Sequence, residues 1–269
     1  MIDPTAYDNA DFIPEGHGYF DRWVKQAAAF RAAHPATLQR LDLAYGPHPR
    51  EAYDLFLPQS GAPVGLVIFV HGGFWQLGGR KDWSHLAAGA LGHGWAVALP
   101  SYPLAPEARI AKISRAVVRA VEAAAETTQG PILLSGHSAG GHLALRTVCP
   151  GAALSADVRA RIAGVLAISP IVDLNPLLLL PMNEFLLIDA DEAESESPML
   201  YPQPDCPVQI EIGAMERPAF IDQALRLADA WPAAELTVTE GRHHFDVPAP
   251  LSDPESRLVT AMLSMAEDR

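Results

Sequence analysis

The sequence predicts an α/β protein built on a mostly parallel, eight-stranded sheet with helices on both faces. Three observations lead there. Strand-like runs alternate with helical patterns from residue 64 onward. One run, VGLVIFV at 64–70, is continuously apolar, as expected of a central strand covered on both faces. A Gly-x-Ser-x-Gly pentapeptide, Gly136 to Gly140, stands directly between a strand-like run and a helical one.

Taken in order, residues 17–33 read as a helix, with Phe20, Trp23, Val24 and Ala27 at helical spacing. Runs at 37–45 and 51–57 are close enough to pair antiparallel. After 64–70, strands are expected at 95–99, 131–136, 163–169, 207–213 and 234–240. Helices are expected at 107–126, over GGHLALRTV after the pentapeptide, and at 219–231. A last helix is expected near Ser252, where Ser252 and Glu255 have capping-box spacing. Residues 172–204 break the rhythm and read as a small cap insert above the C-terminal ends of the strands, inside a single domain spanning 1–269.

Bulk properties narrow the function. The net charge of −13 repels phosphate backbones and anionic membranes, so no nucleic-acid and no membrane partner is expected. The start, MIDPTAYDNADF, has neither a basic nor an apolar run, and a cytoplasmic location is the expectation. Cys149 and Cys206 then read as buried thiols. The apolar stretch LNPLLLLPMNEFLLI is too short and too broken to span a bilayer.

The chemistry concentrates at strand ends. A sharp turn at Gly136-His137-Ser138-Ala139-Gly140 would expose the Ser138 hydroxyl, with a helix N-terminus aimed at the same spot. Side chains at positions 136 and 140 would collide with neighbouring strand and helix. His71-Gly72-Gly73-Phe74-Trp75 follows the strand 64–70. The amides of Gly73 and Phe74, with that of Ala139, could donate to an oxyanion. His71 reads as a structural partner of its own loop. An acid and then a histidine should follow the serine. Glu216 stands after the strand 207–213, with Asp173, Asp205 and Asp222 as rivals, and His243 or His244 stands after the strand 234–240. With no His-Glu-x-x-His and no other group at ligand spacing, neither metal nor cofactor is expected.

His71-Gly72-Gly73-Phe74-Trp75, Gly136-His137-Ser138-Ala139-Gly140-Gly141-His142-Leu143, Glu216-Arg217-Pro218-Ala219-Phe220 and His243-His244-Phe245-Asp246 together resemble the arylformamidase (kynurenine formamidase) type of α/β-hydrolase and the wider hormone-sensitive-lipase-like esterases. Ser101-Tyr102-Pro103-Leu104-Ala105-Pro106-Glu107 is similar to the Asp-Tyr-Arg-Leu-Ala-Pro-Glu of those esterases, departing at Ser101 and Pro103. The resemblance covers about residues 50–250. It implies an α/β-hydrolase fold, His244 as the catalytic histidine and Glu216 as the acid, which is Asp in many relatives.

The expected function is cleavage of a small acyl or formyl group from a small-molecule amide or ester by Ser138, His244 and Glu216. A general short-chain carboxylesterase is the alternative, and a ligand-binding relative without catalysis the second. Trp75, Asn183 and Phe185 are expected to line the pocket, and Glu184, Arg80 and Lys81 are the charged residues offered for a zwitterionic substrate. A homodimer is compatible with the sequence.

Overall fold

The structure is a computed structural model, and it describes residues 3–267. Its strands are β1 (Gln39–Ala44), β2 (Ala52–Phe56), β3 (Leu66–Val70), β4 (Ala96–Pro100), β5 (Ile132–His137), β6 (Ile162–Ile168), β7 (Val208–Gly213) and β8 (Glu235–Thr239). Its helices are α1 (Tyr19–Ala33), α2 (Ala88–Gly92), α3 (Ile110–Ala125), α4 (Ala139–Val148), α5 (Ala156–Arg161), α6 (Asn183–Leu186), α7 (Ala190–Glu196), α8 (Pro218–Ala230) and α9 (Arg257–Ser264).

The strands form one sheet in the order β1-β2-β4-β3-β5-β6-β7-β8. β2 runs antiparallel to both β1 and β4, and every other neighbouring pair is parallel. The parallel strands therefore end together along one edge, which collects the turns after β3, β5, β7 and β8.

β3 shows why a continuous apolar run was needed. Leu66, Ile68 and Val70 enter a core shared with Ile113 and Val117 of α3, Leu143 of α4 and Phe220 of α8. The alternate residues Val67 and Phe69 enter the opposite core with Trp83 and with Leu258, Val259 and Met262 of α9. Side chains alternate across a strand, so on β3, covered on both sides, all five positions are apolar and buried.

Two expectations are corrected here. Ser252 does not cap the last helix; it closes a short 3-10 turn at Ala249–Ser252, and its hydroxyl donates to the Ala249 carbonyl. The cap is Ser256, whose Oγ accepts from the Val259 amide at 3.3 Å. The segment 172–204 does leave β6 at the C-terminal edge, but its apolar residues Leu174, Leu177, Leu186 and Ile188 join the α3, α4 and α8 core. Packing into that core draws the insert to the side of the sheet edge.

Residues 3–18 cross the edge instead. Tyr7 sets its ring edge-on to Phe220 at 5.3 Å, and its hydroxyl accepts from Gln223 Nε2 at 2.7 Å. Arg217 pairs with Asp3 at 3.3 Å and lies over the Phe12 ring.

Candidate active site

The turn from β5 into α4 is closely packed. Ser138 has φ 57° and ψ −120°, a conformation that costs an L-residue of order 1–3 kcal/mol and persists only where its surroundings impose it. Its amide donates to the Ile168 carbonyl at 2.8 Å. A Cβ on Gly136 would meet the Gly140 carbonyl, and one on Gly140 would meet the carbonyls of Val70 and His71. Both glycines of the pentapeptide are therefore required by space.

The turn after β3 runs close by. Gly73, Phe74 and Trp75 all have positive φ, at 107°, 49° and 57°. A Cβ on Gly72 would come within 3.2 Å of the Ser138 Cβ, so the backbone of this turn lies against the serine. Among the described residues, the amides of Gly73, Phe74 and Ala139 have no hydrogen-bond acceptor. The two turns thus leave these N–H groups without acceptors close to Ser138.

His244 and Glu216 meet after β8 and β7. His244 Nδ1–H donates to Glu216 Oε2 at 2.6 Å, with both side chains almost fully buried. The other carboxylate oxygen accepts from the Gly213 amide at 2.9 Å and from the Ser169 hydroxyl. With its proton on Nδ1, His244 keeps the Nε2 lone pair for an incoming proton. The Phe220 ring packs 4.1 Å from the imidazole, centroid to centroid.

The rival acids are engaged elsewhere: Asp173 pairs with Arg226 at 2.7 Å, Asp222 faces the same arginine, and Asp205 stands beside a groove near Cys206. His243 is also committed. The Phe245 amide donates to its Nδ1, which leaves Nε2–H to donate to the Tyr19 hydroxyl at 3.0 Å. His71 holds its own loop: Nδ1–H donates to the Gly72 carbonyl at 2.7 Å, its ring stacks on Tyr102, and burial pushes its pKa down to about 3.

Ser138 and His244 both line a cavity of about 330 Å³. Gly72, Gly73 and Phe74 line it too, while the side chain of Ala139 is buried behind. The expected pocket residues are elsewhere. Trp75 is fully buried with its ring edge-on to His142, because the positive-φ turn swings it inward. Asn183 closes its own helical turn through two hydrogen bonds with the Ile188 backbone, and Phe185 faces solvent. None of 172–204, Glu184 included, reaches the cavity. Arg80 is held by Asp42 and Asp54, and Lys81 by Asp42.

The aromatic wall comes instead from Tyr19, Phe20 and Trp23 of α1, with Trp83 and Phe245. Ser169, which anchors Glu216, and His137, whose Nε2–H donates to the His244 carbonyl at 2.8 Å, also escape sequence reading. The only hint is local: three aromatics within five residues at the start of a helix that buries little else.

Residues 67–185 match a family described by its α/β-hydrolase fold. A solved structure from Silicibacter sp. TM1040, provisionally named a thioesterase, is 48% identical, with 96% of this chain and 97% of that one covered at a TM-score of 0.93. The chain belongs to the α/β-hydrolase fold family. Kynurenine formamidase of Danio rerio is 28% identical to this hydrolase over 248 residues, which is 87% of this chain and 84% of the relative. The same-named protein of Drosophila melanogaster is 26% identical over 226 residues, 76% of this chain and 74% of its own. An esterase from Pyrobaculum calidifontis shares the fold at a TM-score of 0.69 and 18% identity, with 94% of this chain and 93% of its own covered.

Proposed function

We propose that this α/β hydrolase is a serine hydrolase that removes a formyl or other small acyl group from an aryl amide or ester. The observation that carries the reading is the 2.6 Å bond from a buried His244 to Glu216, with Ser138 opening into the same aromatic-walled cavity.

The Ser138 hydroxyl adds to the carbonyl carbon while its proton moves to His244 Nε2. The amides of Gly73, Phe74 and Ala139 hold the oxyanion. The tetrahedral adduct expels the amine or alcohol, which takes the proton from His244. Water then attacks the acyl-serine, giving its proton to His244, and the acid departs as Ser138 recovers its hydrogen. Glu216 keeps the imidazole in the Nδ1–H tautomer and stabilises the imidazolium that forms.

The curated relatives named kynurenine formamidase favour a formyl amide, and the esterase neighbours keep a short-chain ester in view as the second reading. The test is hydrolysis of N-formylkynurenine beside formyl, acetyl and butyryl esters of one leaving group, with Ser138→Ala as control. A formamidase cleaves the formyl amide and loses rate steeply from formyl to butyryl ester. An esterase cleaves the ester series and spares the amide. Ser138→Ala should lower either activity by roughly 10⁴–10⁶ in a folded protein. Near-normal turnover in that variant overturns the serine mechanism. His244→Ala should abolish turnover and His243→Ala should not.

A further inference from the structure

Resting on the hydrolase reading above, we propose that the cavity over Ser138 selects a leaving group that carries a positive charge, and that Asp8 is the residue that sets this preference.

The wall of the cavity is aromatic on several sides, from Tyr19, Phe20, Trp23, Phe74, Trp83 and Phe245. Ring faces carry negative charge density and attract cations, most strongly where water is excluded. Asp8 lines the same cavity and, among the described residues, belongs to no ion pair. Its Oδ1 accepts only a long backbone bond from Asp11, at 3.4 Å. Arg217 touches the Asp8 main-chain carbonyl at 3.3 Å, but its guanidinium pairs with Asp3, lies over Phe12 and does not line the cavity.

Among the described residues, no arginine or lysine lines this space. His17, at the rim, is bonded to the Asp11 carboxylate at 2.6 Å. The adjoining groove, which shares Ala10, Gly16 and His17 with the cavity, carries Arg22 and Lys25 but also Asp11, Glu15 and Asp21. Glu15 stands 3.5 Å from Arg22. A carboxylate entering here would shed its hydration without gaining a cation inside the wall. An ammonium would enter an aromatic-lined space beside the unpaired Asp8 carboxylate, where Arg22 already covers the Tyr19 ring at 3.9 Å and Trp23 packs against Trp83 at 4.4 Å, drawn in by a chain whose net charge is −13.

The test compares three acetate esters: the isosteric pair 4-(trimethylammoniomethyl)phenyl and 4-neopentylphenyl acetate, and the smaller, anionic 4-(carboxymethyl)phenyl acetate. Each kcat/KM is divided by that ester's own rate of alkaline hydrolysis. The wild-type enzyme should favour the cationic over the anionic ester by about 30-fold or more, the ratio expected when one charge is attracted and the other repelled by about 1 kcal/mol each. Asp8→Asn should reduce that ratio by about 5-fold or more. A wild-type preference for the carboxylate, or a ratio that Asp8→Asn leaves unchanged, overturns the proposal. If no acetate ester is cleaved, charge selection is read from binding, while the hydrolase reading stands or falls separately on the formyl amide and formyl ester. Quenching of tryptophan fluorescence by benzyltrimethylammonium should then be tighter in the wild type than in Asp8→Asn, and tighter than quenching by phenylacetate. Equal or reversed affinities overturn the charge preference on their own.

Discussion

His137 and His244 pack against each other at the candidate site, their ring planes inclined by 43°. His137 Nε2–H donates to the main-chain carbonyl of His244 at 2.8 Å, and the two ring centroids are 4.6 Å apart. His137 immediately precedes Ser138, so one residue ties the Ser138 turn to the loop that carries His244. Burial, reinforced by His244, holds its pKa well below the usual histidine value.

Loosening this tie should affect the chemical step more than binding. His137→Phe keeps the ring volume and removes the donor, so kcat should fall by roughly 10-fold or more while KM stays within about threefold. His137→Gln restores an N–H and should recover part of the loss. Steady-state kinetics of the two variants decide the matter, and a wild-type kcat in His137→Phe would contradict it.

Buried neutral histidines also predict how stability depends on pH. Burial lowers His71 to about 3 and His142 to about 4, and it lowers His137 further below its ordinary 6.5. The unfolded chain then binds protons that the folded chain refuses, so stability rises with pH across the window from those lowered values to about 6.5. It is complete above 6.5 and falls as the solution is acidified. Each such group costs about 1.4 kcal/mol per pH unit below 6.5. Urea midpoints should therefore be flat from pH 7 to 8 and drop clearly between pH 6.5 and 5. The carboxylates with lowered values, Asp3, Asp42 and Asp189, start from an ordinary 3.8 and so lie below the measured range of pH 5 to 8, while Asp54, Asp82 and Glu196, raised by burial, act in the opposite sense and reduce the drop. A midpoint unchanged at pH 5 would mean that these histidines charge without cost.

Gly140 should tolerate no side chain. Its added Cβ would meet the carbonyl oxygens of Val70 and His71, which are fixed backbone at the end of β3. Gly140→Ala should destabilise the fold by about 1–3 kcal/mol or more. Gly18, where an added Cβ meets nothing within 4 Å, should accept alanine within about 0.5 kcal/mol. Thermal unfolding of the two variants gives the comparison.

The sheet and the pentapeptide turn were legible because their signals are local. β3 had to be apolar at every position to face two cores, and Gly136 and Gly140 had to be glycine to let β5, α4 and β3 approach. The same alternation put Glu216 and the His243-His244 pair after strands, and the family resemblance selected Glu216 and His244 from among the alternatives. The wall of the cavity was not legible. Residues 3–18 lie over the site through Tyr7 with Phe220 and Asp3 with Arg217, partners more than 200 residues away that leave no periodic trace. The last helix was misplaced for the opposite reason: Ser252 and Glu255 have a local capping-box spacing, but Ser252 closes a 3-10 turn and Ser256 caps the helix.

That exchange of walls separates two readings of substrate contact. If the insert 172–204 formed the pocket, Phe185→Ala would weaken substrate binding. Phe185 instead faces solvent at 55% exposure, so the variant should keep kcat/KM within about twofold. Trp23 stacks on Trp83 at 4.4 Å and sets its edge against Phe245 at 5.4 Å, both at the cavity wall. Trp23→Ala should lower kcat/KM for aryl substrates by roughly 10-fold, mainly through KM, because it removes apolar contact that substrate and transition state share. The reverse pattern, a loss in Phe185→Ala with Trp23→Ala unaffected, would return the pocket to the insert. It would require 172–204 to swing over Ser138 in solution, pulling Leu174, Leu177 and Ile188 out of the core they now share with α3, α4 and α8.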